Sequence, residues 1–285
     1  MNRRVWLNLA LLVTVLVLAL LALLAYFEPG TSETSPASPL STLAADSAAQ
    51  IRFQVRGQDE VAMQRRGAQW WLTQPVVVPA SDFQIARLFE LINAESAQRY
   101  DAASLSLAQY GLVPPEVTLV VDDEQFAFGG LSPMNYQRYV LLGGVLHLVD
   151  VSDLSVFTRG WNDLVDLQLL PKDARPVRIT LASLGTLVAT ERGWRRDGDT
   201  EVESNDDLVA LVERWRHAQA FKVSPWAMDA DESEAVVVQL LKVAEPVVFY
   251  LSRQGSEWLL GRKDLGIQYH LDAAQAQRLF SINNE

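Results

Sequence analysis

The sequence predicts an α+β protein with two tandem, related half-domains of mostly antiparallel strands, one or two helices in each, and a single transmembrane helix before them. Three observations predict this architecture: a long apolar run near the N-terminus, short alternating segments bounded by turn residues, and elements that recur 123 positions further along the chain. The 285 residues divide accordingly into a cytoplasmic tip and transmembrane helix (1–28), a flexible Ser/Pro/Ala spacer (29–50), the first repeat (51–160), a connector (161–176) and the second repeat (177–282).

The predicted membrane anchor is the run from Val5 to Phe27, which only Asn8 and Thr14 interrupt. At about 1.5 Å per residue, a helix of this length spans roughly 34 Å, enough for a hydrocarbon core about 30 Å thick. The alternative is a cleavable signal peptide, with an apolar region of about 7–15 residues that ends at small residues in an A-x-A arrangement. No such site follows the run. We therefore expect the anchor to be retained.

Charged residues beside the apolar run predict its orientation. Arg3 and Arg4 precede it, Glu28 follows it, and the next basic residue is Arg52. By the positive-inside rule the N-terminus stays in the cytoplasm and the rest of the chain is exported. In a bacterium, this predicts a single-pass protein of the inner (plasma) membrane whose bulk lies in the periplasm.

The composition excludes one class of partner and one kind of stabilisation. Against 24 lysines and arginines stand 35 aspartates and glutamates, which give a formal net charge of −11. This charge repels phosphate backbones, so no nucleic-acid partner is predicted. The sequence contains no cysteine. An exported domain would therefore fold without disulfides, and a lipid-modified cysteine cannot be the anchor.

The first predicted repeat opens with strands at 51–55 and 61–72. Ser81 then caps a helix whose apolar face comprises Ile85, Leu88, Phe89 and Ile92. Four more strands are predicted at 117–121, 125–128, 139–142 and 145–149.

The second predicted repeat follows the same order. Strands at 177–181 and 187–194 precede a helix with Leu208, Leu211, Val212 and Trp215 on one face. Strands at 247–251, 257–260 and 267–271 and a terminal helix at 273–280 complete it. We interpret residues 220–245 as an insertion in which 235–241 are helical.

Four kinds of feature recur at an offset of 123: a tryptophan at the end of a strand, a helix cap, a histidine in a strand, and a phenylalanine near the end of each repeat. The matched pairs are Trp71/Trp194, Ser81/Ser204, His147/His270 and Phe157/Phe280. Between them the offset drifts to about 130, which matches Val117 with Val247. Agreement among several kinds of element favours an internal duplication over chance register.

His147 and His270 are candidates for proton transfer or metal binding, since Asp150 and Asp272 lie close by in sequence. Their equivalence places them in two different half-domains, where each would make one structural hydrogen bond. No residue is therefore predicted to be catalytic, to bind a cofactor or to ligate a metal. Asp197 to Glu203 begins like a calcium loop, but Val202 and Leu208 occupy the positions that need glycine and glutamate.

Motifs for hydrolases, phosphate-binding loops and zinc proteases do not occur in the sequence. Trp161 and Trp226 stand in loop-like surroundings and are the candidates for exposed aromatics that bind a glycan or peptide. If they do, they should line an apolar cleft between the two repeats.

Several short motifs occur together in one order, and this order carries a family resemblance. They are Trp70-Trp-Leu-Thr-Gln-Pro, Ser81-Asp82, Tyr110-Gly-Leu, Pro114-Pro, Phe128-Gly129, Pro133, Tyr139-Val140 and Asp166-Leu-Gln-Leu-Leu-Pro171. Over most of residues 51–280 the chain resembles domain-of-unknown-function family 4340. Members are generally bacterial and membrane-anchored, and some are encoded beside ABC-transporter components of the gliding-motility type.

The resemblance implies an accessory role in the cell envelope and supplies no catalytic residues. We therefore expect a non-enzymatic, membrane-anchored extracytoplasmic accessory or scaffold protein that acts with an ABC-type transport system. A periplasmic glycan- or peptide-binding module is the first alternative. A hydrolase built on His147 or His270 is the second.

Overall fold

The computed structural model describes Leu12, Val13, Val15, Val17, Leu18 and residues 38–198, 205–230 and 233–282. The first five are helical and exposed. The rest of the predicted anchor from Val5 to Phe27 lies outside the described residues. Within the described part of the chain, no helix has the length and apolar character needed to cross a bilayer.

The first sheet contains ten strands, all paired antiparallel. They are β1 (Ser38–Pro39), β2 (Gln50–Val55), β3 (Val61–Arg66), β4 (Gln69–Gln74), β5 (Val78–Pro79), β6 (Glu95–Asp101), β7 (Val117–Val121), β8 (Glu124–Leu131), β9 (Arg138–Leu142) and β10 (Val145–Val149). Their order across the sheet is β1-β6-β10-β9-β8-β7-β2-β3-β4-β5.

The second sheet contains eight strands, again all antiparallel. They are β11 (Pro176–Leu181), β12 (Gly185–Thr190), β13 (Gly193–Arg196), β14 (Lys222–Pro225), β15 (Glu234–Leu240), β16 (Val247–Gln254), β17 (Glu257–Arg262) and β18 (Ile267–Leu271). Their order is β13-β12-β11-β15-β16-β17-β18-β14. Two antiparallel sheets with few helices confirm the predicted α+β class.

Four α-helices lie in the described residues from 38 onward: α1 (Asp82–Ile92), α2 (Ser155–Thr158), α3 (Asn205–Arg216) and α4 (Ala273–Phe280). The predicted apolar faces of the two longer helices are confirmed. Ile85, Leu88, Phe89 and Ile92 of α1 are buried, and so is the set that ends at Trp215 in α3. Spacings of three and four residues place these side chains on one stripe of each helix.

The two sheets match strand for strand. Read from β6 and from β14, both connect their eight shared strands in the same spatial order, and sheet one adds only β1 and β5 at its edges. In this arrangement β7 matches β15 and β8 matches β16. The expected pairing of Val117 with Val247 is therefore wrong, since these residues lie in non-equivalent strands.

Residues 220–245 are a further correction. The sequence predicts an insertion with a helix at 235–241, but the segment contains strands β14 and β15. Along β15, Val236, Val238 and Leu240 are buried and alternate with less buried residues. This period of two is the pattern of a strand with one face on the core.

The predicted flexible spacer differs from the structure from residue 38 onward. Strand β1 pairs with β6, and Leu40 and Ala48 are buried in the core. The Asp122 carboxylate accepts the backbone N–H groups of Ala49 and Gln50, at 3.0 and 2.8 Å. This segment is therefore part of the folded body.

A single hydrophobic core joins the two sheets and extends from Leu40 to Leu279 of α4. The connector between the sheets contributes to it through Leu164, Val165, Leu169 and Leu170. Its backbone is bonded to both sides: the N–H of Asp166 donates to Pro79 O at 2.9 Å, and that of Leu169 donates to Ala218 O at 3.0 Å. These bonds hold the two half-domains against one connector.

Candidate functional site

The connector forms the floor of a cleft between the two sheets, which we call the inter-sheet cleft. Its volume is about 570 Å³, within the range of roughly 300–1,000 Å³ typical of ligand sites. One side is lined by Arg66, Ala68, Gln69, Trp71, Pro79 and Asp82, the connector side by Asp166, Gln168, Leu169, Leu170, Pro171, Lys172 and Asp173, and the other side by Arg262, Leu265 and Tyr269.

Trp71 is the tryptophan of the inter-sheet cleft, because side chains on strand β4 alternate between two faces. Trp70 and Leu72 are buried in the core, whereas Trp71, between them, is half-buried and lines the cleft. The Arg66 guanidinium lies over the Trp71 ring, 5.1 Å from its centroid. This cation–π contact keeps a positive charge beside the aromatic surface.

Two further cations of the inter-sheet cleft have anionic partners. The Lys172 ammonium is ion-paired with Asp82 at the start of α1. Arg262 donates two hydrogen bonds to Asp264, at 2.9 and 2.7 Å, in the bidentate geometry that suits a guanidinium and a carboxylate.

Two further polar groups of the cleft are Asp166, which is half-buried, and Tyr269, which is buried. The Asp166 carboxylate accepts the backbone N–H of Gln168 at 3.1 Å. Burial raises the pKa of the Asp166 carboxyl above its ordinary value of 3.8, against the opposite effects of that hydrogen bond and of Lys172. Burial also raises the pKa of Tyr269 to about 12, so its phenol is protonated at neutral pH.

This arrangement is suited to binding. No serine, threonine, cysteine or histidine is among the described residues that line the inter-sheet cleft, so it lacks the usual pairing of a nucleophile with a base. It does combine an aromatic surface and apolar walls with charged and amide side chains. That combination is typical of sites that hold a ligand in one orientation.

Trp161 and Trp226, the aromatics selected from the sequence, lie elsewhere. Trp161 is half-buried and packs against the core. Trp226 is also half-buried; its ring meets that of Tyr250 edge-on at 5.6 Å and occupies the space that a Cβ on Gly261 would need. Neither ring lines the inter-sheet cleft, where the structure places Trp71 instead.

The two equivalent histidines have different surroundings. His147 on β10 is buried, with Nδ1 3.0 Å from Ser96 Oγ, and burial, aided by the positive charge of Arg99, lowers its pKa to about 4. His270 on β18 is buried between two partners: Nε2 lies 2.8 Å from Ser224 Oγ and Nδ1 lies 2.7 Å from Glu257 Oε2.

The aspartates that follow these histidines in sequence do not contact them. Asp150 is exposed, and the Asp272 side chain caps helix α4 by accepting the N–H of Gln275 at 2.7 Å. Sequence proximity therefore selected the wrong carboxylates. The partners of His270 come from β14 and β17, the strands that flank β18, and only the strand register reveals them. In the described ranges, no three histidines, aspartates or glutamates converge as a metal site.

A family model, Domain of unknown function (DUF4340), matches residues 70–247. The chain belongs to this family. The resemblance identified from the sequence motifs is thereby confirmed over a shorter range than expected. No curated protein and no solved structure matches the chain significantly.

The matched range contains the floor of the inter-sheet cleft and part of one wall, since Arg66, Ala68 and Gln69 of that wall precede it. Trp71 on β4 and Asp166 and Lys172 in the connector lie within the part that matches DUF4340. Arg262, Leu265 and Tyr269 follow it. Ser224 also lies within the matched range, whereas Glu257 and His270 do not.

Proposed function

We propose that this chain is a non-enzymatic, membrane-anchored extracytoplasmic accessory protein that binds an envelope partner through the inter-sheet cleft. The inter-sheet cleft supports the proposal, because Trp71, apolar connector residues and several charged side chains line it where the two half-domains meet. The partner we name first is a component of an ABC-type transport system, as the family resemblance implies. In this proposal the two half-domains descend from one duplicated unit, which the matching strand orders support.

The anchor in this proposal is the run from Val5 to Phe27, with its N-terminus in the cytoplasm and the folded body in the periplasm. The apolar length and the positions of Arg3, Arg4 and Glu28 support it. We expect the full chain to stay in the membrane pellet after alkaline extraction, and external protease to digest its body in spheroplasts. Release by alkali, or protection of the body in intact spheroplasts, would contradict this anchor.

The cleft is tested by site-specific photo-crosslinking in intact cells. A benzophenone amino acid at Ala68 lies in the inter-sheet cleft, and the same group at Ala103, which is exposed and outside the cleft, is the matched control. We expect a crosslinked adduct with an envelope transport component from position 68 that is lost when Trp71→Ala is added. Equal adducts from both positions, or none from position 68, would count against the proposal.

A second candidate function, hydrolysis, is favoured by one observation. Ser224, His270 and Glu257 form a hydrogen-bonded series of hydroxyl, imidazole and carboxylate with spacings of 2.8 and 2.7 Å, the order found in serine hydrolases. A fluorophosphonate probe tests it directly. Labelling of the full chain that disappears in Ser224→Ala would support hydrolysis. Absence of labelling beside a labelled serine hydrolase would remove this candidate.

A further inference from the structure

The charged groups of the inter-sheet cleft differ in whether they have a partner. Lys172 is ion-paired with Asp82, Arg262 is held by Asp264, and Arg66 rests on the Trp71 ring. Asp166 and Asp173 are the exceptions, since no cation lies within ion-pair distance of either carboxylate among the described residues. Asp173 is exposed, and of the two only Asp166 is half-buried. The one side-chain hydrogen bond of Asp166 there is to the Gln168 N–H. The floor of the cleft therefore keeps a half-buried carboxylate with acceptor positions to spare.

Tyr269 supplies a second polar group at the cleft. Its side chain is 3% exposed and lines the cleft, yet in the described ranges its hydroxyl has no hydrogen-bond partner. The hydroxyl oxygen is not among the fully buried polar atoms without a partner, so it reaches solvent at the cleft. The Tyr269 hydroxyl is therefore available to a ligand at the same cleft as Asp166.

The walls around these two groups are mainly apolar. Pro79, Leu170, Pro171 and Leu265 line the cleft together with Trp71. Such walls suit a side chain with an aliphatic stem and a charged tip, since the stem packs on apolar surface while the tip reaches its partner. A neutral or anionic tip would leave the Asp166 carboxylate uncompensated in a partly desolvated position.

We infer that the inter-sheet cleft recognises a basic side chain of an extended partner peptide, with the cation at Asp166 and a hydrogen bond to the Tyr269 hydroxyl. Arginine fits better than lysine, because its planar guanidinium presents several donors in a fixed fork and is less strongly hydrated. This inference rests on the proposed function and gives its partner a chemical identity. It also agrees with the net charge of −11, which favours basic partners.

The inference is tested with capped peptides and the purified full chain in detergent, by calorimetric titration. The probes are Ala-Ala-Arg-Ala-Ala, the same peptide with lysine, and the same peptide with citrulline, which keeps the shape of arginine and lacks its charge. We expect the arginine peptide to bind most tightly, lysine to be weaker, and citrulline to lose about tenfold to hundredfold in affinity. Citrulline that binds as tightly as arginine would overturn the inference.

Three substitutions test which polar groups of the cleft contact the peptide. Asp166→Asn should reduce arginine-peptide affinity about tenfold to hundredfold and leave the citrulline peptide almost unchanged. Asp173→Asn is the matched control, because Asp173 lines the same cleft and is exposed; it should change affinity less than about threefold. Tyr269→Phe should weaken binding severalfold with no loss of the preference for arginine. An unchanged affinity in Asp166→Asn, or an equal loss in Asp173→Asn, would contradict the inference.

These outcomes separate this inference from the proposed function. If crosslinking from Ala68 depends on Trp71 but the citrulline peptide binds as tightly as the arginine peptide, the cleft does bind a partner. In that case our inference that the partner presents a basic side chain is wrong. If a neutral disaccharide of N-acetylglucosamine binds more tightly than the arginine peptide, the occupant is a glycan. The peptide comparison uses the unsubstituted chain, so it decides the matter even if Asp166→Asn does not fold.

Discussion

The two half-domains carry a histidine at the same position of matching strands and surround it differently. In the first, His147 has one polar side-chain partner, Ser96, and burial keeps it neutral. In the second, His270 lies between Ser224 and Glu257. The registers of β9 with β10 and of β17 with β18 place Arg138 where the second half has Glu257. The matching positions thus carry opposite charges, and in the second half this residue, Glu257, contacts the histidine.

This comparison shows what two sheets with the same strand order share. Strand order and core faces are the same in both halves, because they follow from apolar periodicity, which both sequences retain. The polar partners differ, because a single substitution on a neighbouring strand changes them without disturbing the core. Arg138 and Glu257 are the residues at which the comparison can be tested most strongly.

The largest expected effect is the loss of stability when Arg138 is replaced. Its guanidinium is buried and donates to Glu116 at 2.8 Å and to the carbonyl oxygens of Gly129, Val151 and Ser152 at 2.7, 3.1 and 2.9 Å. Arg138→Met should lower the free energy of unfolding by about 3–5 kcal/mol, since it leaves these acceptors unsatisfied. Glu257→Gln, with a partly exposed side chain, should cost less than about 1 kcal/mol. Urea unfolding measures both, and equal losses would remove the distinction between the halves.

The next effect is the pH dependence that His147 confers. Its pKa is about 4 in the folded protein and 6.5 in the reference state, so the unfolded chain binds the proton more readily. The stability linked to His147 is complete above about pH 6.5 and falls as the pH approaches about 4, by up to about 3 kcal/mol. His147→Gln should flatten this part of the stability curve, measured by urea unfolding at several pH values. A curve of unchanged slope would show that His147 is not its cause.

The third effect concerns the two matched tryptophans. Trp71 lines the inter-sheet cleft, whereas Trp194 on β13 packs against the core at the corresponding strand. Trp71→Ala should reduce arginine-peptide affinity about tenfold, and Trp194→Ala should change affinity little while it lowers the melting temperature. Titration and thermal unfolding of both variants measure this. The comparison fails if both variants lose affinity equally.

The smallest effect concerns the serines. Ser96→Ala leaves the buried His147 without its side-chain partner and should cost about 1–2 kcal/mol. Ser224→Ala leaves His270 its contact with Glu257 and should cost about 0.5–1 kcal/mol. The difference is measured by urea unfolding at pH 7. A larger loss in Ser224→Ala would show that the Ser224–His270 hydrogen bond, between β14 and β18, stabilises the fold more than the Ser96–His147 hydrogen bond does.

Much of the fold could be predicted from local patterns. The alternating segments at 51–55 and 117–121 became β2 and β7, and the stripe ending at Ile92 became the buried face of α1. Strands β6 and β14 were missed because Glu95–Asp101 is polar and Lys222–Pro225 is only four residues long. Both are edge or near-edge strands, formed by pairing with β10 and β18 rather than by their own propensity.

The candidate site was harder to predict. The loop-like neighbours of Trp161 and Trp226 predict exposed rings there, yet Trp71, inside a regular strand, lines the cleft. The cleft needs residues from β4, the connector and β18, which lie far apart in the sequence. Periodicity shows that Trp70 and Trp71 point to opposite faces, but it does not show which of the two faces the other half-domain.

The sequence by itself determined the α+β class, the family, the apolar faces of the helices and most of the strands, because these follow from contacts between residues close along the chain. Only the tertiary structure decided that residues 38–49 are folded, that Glu257 meets His270, and that Asp166 and Tyr269 line one cleft. Those arrangements depend on strand register and on how two sheets pack against one connector. Both are set by the burial of apolar surface across the whole chain rather than by any one segment.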